Sequence, residues 1–523
     1  MNRDGDISLL WQSVDHWAAR KPDAEALVFG DRRVTWAELA GMVERMACGL
    51  ISAGVGRGDC VAQVSAACPE FIISFLGASR AGAMWVGLSP VYPMEELRRM
   101  LGDCRPAVLL VAAEHRGAPL AGRASTLMYE IPSILGTYVI GGAAAGLPAF
   151  EELLEPSAEC AGLLAERAAA QSPGDETLLI YTSGSSGAPK GVIHTHANLL
   201  ANVSQEAPLF GIGGDDRVLL HFPINHVAAD VEIGLCSIYA GATLVIQDHF
   251  SPADVLDVIE REKVTVLGQV PAMYLMEYEY DGFREERLAS VKTYLYGGSI
   301  STQPMLDVIS GLCDRFGARM ITGYGATEFG GFITSTEPSA RPKSGEAGAA
   351  YPTCEVRIVD GGRNTLPAGE TGEIAVRGPV LMKGYLNKPA LTNEVVDGDG
   401  WLYTRDLGRL DGKGGLEILG RASDMYKSGG ENIFPAEVEA ALQSHPGVMF
   451  AAVIGVPHPV YGEVGRAFVM PVPGETVGAD DLKRHCRTRL APFKVPESFV
   501  FVERMPLLPS GKVDMRALRG RQE

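Results

Sequence analysis

Residues Tyr181 to Val192 read Tyr-Thr-Ser-Gly-Ser-Ser-Gly-Ala-Pro-Lys-Gly-Val. The hydroxyls of Thr182, Ser183, Ser185 and Ser186 are interspersed with Gly184 and Gly187, and Lys190 follows. Glycines let backbone N–H groups approach an anion closely, hydroxyls add donors, and a lysine adds charge. The chemistry that suits this run is the cradling of phosphate oxygens. In a Walker loop the lysine directly follows the second glycine and a helix begins. Here Ala188 and Pro189 intervene, Leu178, Leu179 and Ile180 lead in as a strand, and Val192 and Ile193 lead out as another. A plain Gly/Ser turn is the alternative, and the Pro-Lys-Gly ending tells against it.

The elements around this loop alternate. Val34 to Gly54 is predicted as a helix, with Thr35 and Glu38 as a capping box, Leu39, Met42, Met46 and Leu50 on one face, and Gly54 at its stop. Asp59 to Ser65 reads as a short buried strand and Pro69 to Ala81 as a helix. This alternation runs through roughly the first three hundred residues and predicts parallel sheets covered by helices. After about residue 345 the texture changes. Glu355–Asp360, Glu373–Arg377 and Leu416–Leu419 read as short strands between Gly-rich turns, a small β-rich unit. Pro435 opens another helix, with Val438, Ala441 and Leu442 on one face. Strand-like Phe450–Gly455, helical Asp480–Leu490 and strand-like Ser498–Val502 complete a compact α+β unit. The fold class is therefore α/β, a large N-terminal domain of parallel sheets with helices plus a small β-rich unit, followed by a small α+β C-terminal domain.

The chain has 523 residues, enough for more than one domain. Its formal net charge of −18 argues against nucleic acid or an anionic membrane as the main partner, since both reward clustered Lys and Arg. Nine scattered cysteines form no C-x-x-C pair, so neither a zinc site nor a disulfide framework is expected, and a reduced cytoplasm is the simplest location. The N-terminus lacks the apolar core of a signal peptide, and no run of about 18 apolar residues suggests a membrane span.

Further motifs follow the loop in order. They are Gly323-Tyr-Gly-Ala-Thr-Glu328, Trp401-Leu-Tyr-Thr-Arg-Asp406, Gly420-Arg-Ala-Ser-Asp424, Lys427-Ser-Gly-Gly-Glu-Asn-Ile-Phe-Pro435 and Pro509-Ser-Gly-Lys512. Val34–Leu39 and Gly56–Val61 precede them. Together with the phosphate loop, these runs resemble the signature motifs of the adenylate-forming superfamily: acyl-CoA synthetases, aryl-CoA ligases, peptide-synthetase adenylation domains and beetle luciferases. The resemblance covers nearly the whole chain.

The resemblance implies ATP-dependent activation of a carboxylic acid to its acyl-adenylate with release of pyrophosphate, then transfer to coenzyme A. It places Thr182 to Lys190 over the β and γ phosphates, Thr327 by the α-phosphate, and Glu328 on a Mg²⁺ ion. Tyr324 would lie against adenine, with Gly298 and Gly325 also at the nucleotide. Asp406 and Arg421 would hold the ribose hydroxyls. Lys512 is the implied catalytic lysine of the adenylation step. His226 matches a gate beside the acid pocket, with a structural histidine as the alternative. Lys427, Gly429 and Gly430 match the element lining the pantetheine tunnel, and Phe493 and Lys494 are candidates for coenzyme A nucleotide contacts. The implied domains are residues 1–421 and a mobile C-terminal domain, 422–523, that carries Lys512.

Two positions depart from the family pattern. Arg405 stands where a glycine is usual, and Ser423 stands at the hinge position, where Asp or Lys is usual. The pocket walls implied by the alignment surround His226–Ala228, Gly297–Ser299 and Gly323–Gly331. These are mostly small residues, without Trp, Lys or Arg. They suit a sizeable, mainly apolar acid, unless the glycines merely serve tight turns. The rival activities are a stand-alone enzyme loading a carrier-protein thiol, a luciferase-like oxygenase, and a non-catalytic nucleotide-binding relative. Retention of Lys512 and of the loop speaks against the last. A homodimer is compatible with everything above.

Overall fold

The computed structural model describes residues 7–155, 160–183, 189–301, 303–508 and 512–520. The chain forms two compact units. The first comprises Met1–Leu267, Gly325–Phe332 and Pro379–Glu394, and the second Gly268–Tyr324, Ile333–Gly378 and Val395–Glu523.

In the first unit, one sheet runs in the order Gly384–Tyr385, Pro189–Thr195, Glu176–Ser183, Met84–Leu88, Cys60–Val64, Val108–Ala112, Gly136–Ile140. From Glu176–Ser183 to Gly136–Ile140 neighbouring strands are parallel. Every residue of Cys60–Val64 and Met84–Leu88 is buried, as near-continuous apolar runs require when helices cover both faces. A second set pairs Arg217–Leu220 with Thr243–Ile246, and the latter with Glu25–Phe29, all parallel. The predicted helix is Trp36–Ser52. Glu38 N–H donates to Thr35 Oγ1 at 3.2 Å, and Thr35 N–H donates back to Glu38 Oε2 at 2.8 Å. Pro69–Ala81 is helical as predicted, with Pro at its first turn and left-handed Gly82 at its end.

The second unit contains the parallel pair Thr293–Tyr296 and Arg319–Thr322. A six-stranded antiparallel sheet follows, in the order Thr334–Ser335, Glu346–Ala350, Gly415–Arg421, Leu402–Leu410, Gly372–Arg377, Glu355–Val359. The α+β portion packs the helices Pro435–Gln443 and Ala479–Arg487 around the hairpin Val448–His458 and Gly462–Pro471, with Ser498–Phe501 parallel to its second strand. All nine cysteines are free thiols. Among the described residues, no helix is long and apolar enough to cross a membrane.

Candidate functional site

The strand expected after the phosphate loop is present. Glu176–Ser183 and Pro189–Thr195 form an antiparallel hairpin, in register Thr182 with Lys190 and Ser183 with Pro189. The loop residues Gly184, Ser185, Ser186 and Gly187 lie outside the described residues, as does the side chain of Ser183. Thr182 and Lys190 thus flank the mouth of the loop on facing strands. The Thr182 hydroxyl is buried and has no hydrogen-bond partner among the described residues. A buried donor left unpaired costs roughly 1–3 kcal/mol, which a phosphate oxygen would relieve.

Lys190 Nζ stands 3.4 Å from the hydroxyl of Tyr385 and 4.6 Å from the centre of its ring. That hydroxyl donates to Glu328 Oε1 at 2.9 Å. Thr327 is fixed through its backbone. The Asn198 amide donates to His194 Nδ1 at 2.7 Å, which leaves Nε2 to carry the proton and donate to the Thr327 carbonyl at 2.8 Å. Burial lowers the His194 pKa to about 4, so the ring is neutral. Asn198 itself closes a capping box with Thr195 at the start of His196–Phe210. One and two turns along that helix, Asn202 donates to the Phe332 carbonyl at 3.0 Å, and Glu206 accepts the Phe332 N–H at 2.5 Å. Desolvation first, and then the nearby Glu232, raise the carboxyl of Glu206 well above its ordinary value.

These contacts bear on two of the glycines in the implied pocket segments. A Cβ on Gly331 would stand 2.5 Å from Glu206 Oε1, and one on Gly325 would stand 2.6 Å from Phe332 Cδ1. At both positions a neighbouring group approaches too closely for a Cβ. His226 lies just before the π-helical segment Ala228–Leu235, and its Nδ1 accepts the Ala228 N–H at 3.1 Å.

In the second unit the Tyr324 hydroxyl donates to Asp406 Oδ2 at 2.6 Å, and Arg421 Nε lies 3.3 Å from Asp406 Oδ1. The three residues implied for the nucleoside are therefore one hydrogen-bonded group. Asp406 and Arg421 face each other in antiparallel register on Leu402–Leu410 and Gly415–Arg421. Arg405 adopts φ 63°, the left-handed region. Its N–H donates to Glu373 Oε1 at 2.7 Å, and its carbonyl accepts the Ala422 N–H at 3.0 Å. A glycine suits such a backbone, which accounts for the usual family residue.

Lys512 lies against Gly298, where a Cβ in place of the glycine hydrogen would meet Lys512 Cε at 3.1 Å and Nζ at 3.7 Å. Gly429 and Gly430, at φ 60° and 92°, make the two-residue turn between Tyr426–Ser428 and Glu431–Ile433. A turn with positive φ at both central residues favours glycine, and the hairpin itself gives this pair a structural reason. Lys427 is exposed, with its N–H bound to Glu463 Oε2 at 3.1 Å. Lys494 is ion-paired with Glu437 at 2.6 Å, while Phe493 is exposed. Ser423 Oγ donates to Oδ1 of its neighbour Asp424 at 3.5 Å.

Residues 14–386 match the AMP-binding enzyme family, and residues 437–512 match the AMP-binding enzyme C-terminal domain. The chain belongs to the AMP-binding enzyme family. It is 36% identical to a feruloyl-CoA synthase of Amycolatopsis sp over 96% of this chain and 97% of that protein. It is 32% identical to an indoleacetate–CoA ligase of Aromatoleum aromaticum over 97% and 98% of the two chains. Among solved structures, o-succinylbenzoate CoA synthetase of Bacillus subtilis with an acyl-adenylate intermediate superimposes with a TM-score of 0.80 at 29% identity, covering 98% of this chain and 99% of that one. This AMP-binding enzyme is an acid:CoA ligase. It activates a carboxylic acid with ATP to the acyl-adenylate, releasing pyrophosphate, and then transfers the acyl group to coenzyme A with release of AMP.

Sequence reasoning missed three residues that hold the candidate site residues in place. Tyr385 sits in Lys383-Gly-Tyr-Leu386, where a Gly-Tyr pair is a weak local signal. His194 and Asn198 carry no motif, and only their fold neighbours give them a role. Among the described residues, no group of three or more His, Cys, Asp or Glu side chains is placed to hold a metal ion. A single carboxylate suits Mg²⁺, which is held by one or two carboxylates plus substrate phosphates and water.

Proposed function

We propose that this acid:CoA ligase activates a sizeable, mainly apolar acid, with an aryl or alicyclic acid favoured over a medium-to-long fatty acid. The observation that carries the reading is the composition of residues 226–228, 297–299 and 323–331, which include no Trp, Lys or Arg. These segments themselves supply no cation for a second carboxylate and no indole to fill the pocket. Val227 and Ala228 are buried and apolar. The feruloyl and indoleacetyl groups named in two relatives support an aryl acid. Each methylene buried adds about 0.8 kcal/mol of binding, so acetate is a very poor substrate.

In this reading Thr182, Lys190 and the loop joining them take the β and γ phosphates, and Thr327 lies by the α-phosphate. Tyr324 packs on adenine, beside Gly298 and Gly325, while Asp406 and Arg421 take the ribose diol, for which a carboxylate is a natural bidentate acceptor. Glu328 would hold a Mg²⁺ ion, which supplies positive charge to the phosphates. Lys512 brings a cation to two anions that must meet, the substrate carboxylate and the α-phosphate, an effect worth roughly a few kcal/mol in a partly desolvated site. His226 gates the acid pocket. Lys427, Gly429 and Gly430 line the path of the pantetheine arm after the C-terminal domain, residues 422–523, turns about a hinge at residues 422–425. The enzyme works in the cytoplasm, and a homodimer is compatible with the reading.

The test compares kcat/KM for acetate, octanoate and a cinnamate-type acid, with AMP release followed with and without coenzyme A. The expected order is cinnamate-type, octanoate, acetate. Preference for acetate overturns the proposed acid class.

A further inference from the structure

The segment after Pro379 crosses two motifs that are far apart in sequence. Met382 N–H donates to the carbonyl of Glu328 at 2.8 Å, Lys383 N–H to Ile193 at 2.9 Å, and Leu386 N–H to Gly191 at 2.8 Å. Gly384 and Tyr385 pair with Ile193 and Val192 on the strand that leaves the phosphate loop. The Tyr385 N–H is taken up by Thr392 Oγ1 at 2.9 Å, and the residue is 5% exposed. A buried aromatic ring on a backbone held at four points has little freedom. Its hydroxyl is therefore delivered to a fixed place, between Lys190 Nζ at 3.4 Å and Glu328 Oε1 at 2.9 Å.

A phenol can accept from an ammonium and donate to a carboxylate at the same time. The ring face adds a second hold on the ammonium through its quadrupole. Lys190 and Glu328 carry opposite charges in a half-buried setting, where a direct ion pair would be strong. Such a pair would cancel the positive charge that a phosphate needs and the negative charge that a divalent cation needs. The Tyr385 hydroxyl bridges the two instead, accepting from Lys190 and donating to Glu328.

We infer that Tyr385 is a positioning residue for nucleotide binding: its hydroxyl spaces Lys190 from Glu328 and orients both for the MgATP complex. The inference rests on the phosphate and Mg²⁺ assignments of Lys190 and Glu328 made above. When MgATP binds, Lys190 exchanges the phenol oxygen for a phosphate oxygen, and Tyr385 continues to orient Glu328.

The experiment uses the full chain with Tyr385→Phe, which keeps the ring and removes only the hydroxyl, alongside Lys190→Ala and Glu328→Gln. ATP binding is titrated by calorimetry without acid substrate, with and without Mg²⁺. Conversion of supplied acyl-adenylate and coenzyme A to thioester is measured separately, because that step needs neither triphosphate nor Mg²⁺. Tyr385→Phe is expected to weaken MgATP binding about tenfold, the loss of one charge-assisted hydrogen bond, and to leave the thioester step within about twofold. Wild-type MgATP affinity in Tyr385→Phe, with weakened binding in the other two variants, overturns the inference alone. An equal loss in both measurements assigns Tyr385 a merely structural role and also overturns it. Unchanged binding in all three variants overturns the inference together with the phosphate assignment beneath it.

Discussion

Tyr324 and Asp406 come from distant motifs, and the phenol of the first donates to the carboxylate of the second at 2.6 Å. With Arg421 Nε at 3.3 Å on the other oxygen, both carboxylate oxygens of Asp406 are engaged by protein groups. A hydrogen bond to a charged group contributes about 1.5–3 kcal/mol. Tyr324→Phe is therefore expected to raise KM for ATP about tenfold with a smaller change in kcat, as steady-state kinetics at saturating acid would read.

Lys512 lies against Gly298 within the second unit. If it serves adenylation alone, Lys512→Ala nearly abolishes acid-dependent pyrophosphate release and still converts supplied acyl-adenylate to thioester. A two-step scheme with an enzyme-bound intermediate permits that separation. Equal loss of both steps would remove the assignment.

Arg405 holds a left-handed backbone that glycine adopts without strain. The steric cost for an L-residue is roughly 1–2 kcal/mol, partly offset by the extra unfolded-state entropy of glycine. Arg405→Gly is expected to stabilise the protein by about 0.5–1 kcal/mol in a denaturant titration. A loss of stability instead would show that the Arg405 side chain contributes more than its backbone strain costs.

Gly331 approaches Glu206 too closely to carry a side chain, and its φ of 141° is itself unfavourable for one. Gly331→Ala is expected to cost about 2 kcal/mol or more of stability, in the range of overpacked cores, whatever acid is offered. Denaturation melts of the unliganded protein check this. A neutral result would restore Gly331 as open pocket space.

Glu277 is buried and hydrogen-bonded by Gln269, and burial raises its pKa from 4.5 to about 8. A raised folded-state value favours the protonated form. The stability it contributes is fully present below pH 4.5 and is lost as pH rises through about 8. Glu277→Gln is expected to flatten this part of the stability–pH curve and to stabilise the protein at pH 8 relative to the parent. An unchanged slope between those limits would show that Glu277 titrates normally.

The sequence by itself determined the family, the alternating strands and helices, the capping box at Thr35, and the identities of Lys190, Tyr324, Glu328, Asp406, Arg421 and Lys512 as candidates. These were legible because phosphate loops, caps and turns are local: residue type and short spacing dictate them. Only the tertiary structure decided which of them meet. The Tyr324–Asp406 bond, the Tyr385 bridge from Lys190 to Glu328, and the His194 hold on Thr327 join residues far apart in the chain, and no spacing rule encodes such a contact. The same limit applies to Gly331. Glycine looks identical in sequence whether it leaves space for a ligand or admits a neighbouring carboxyl, and only the packing of Glu206 against it tells the two apart.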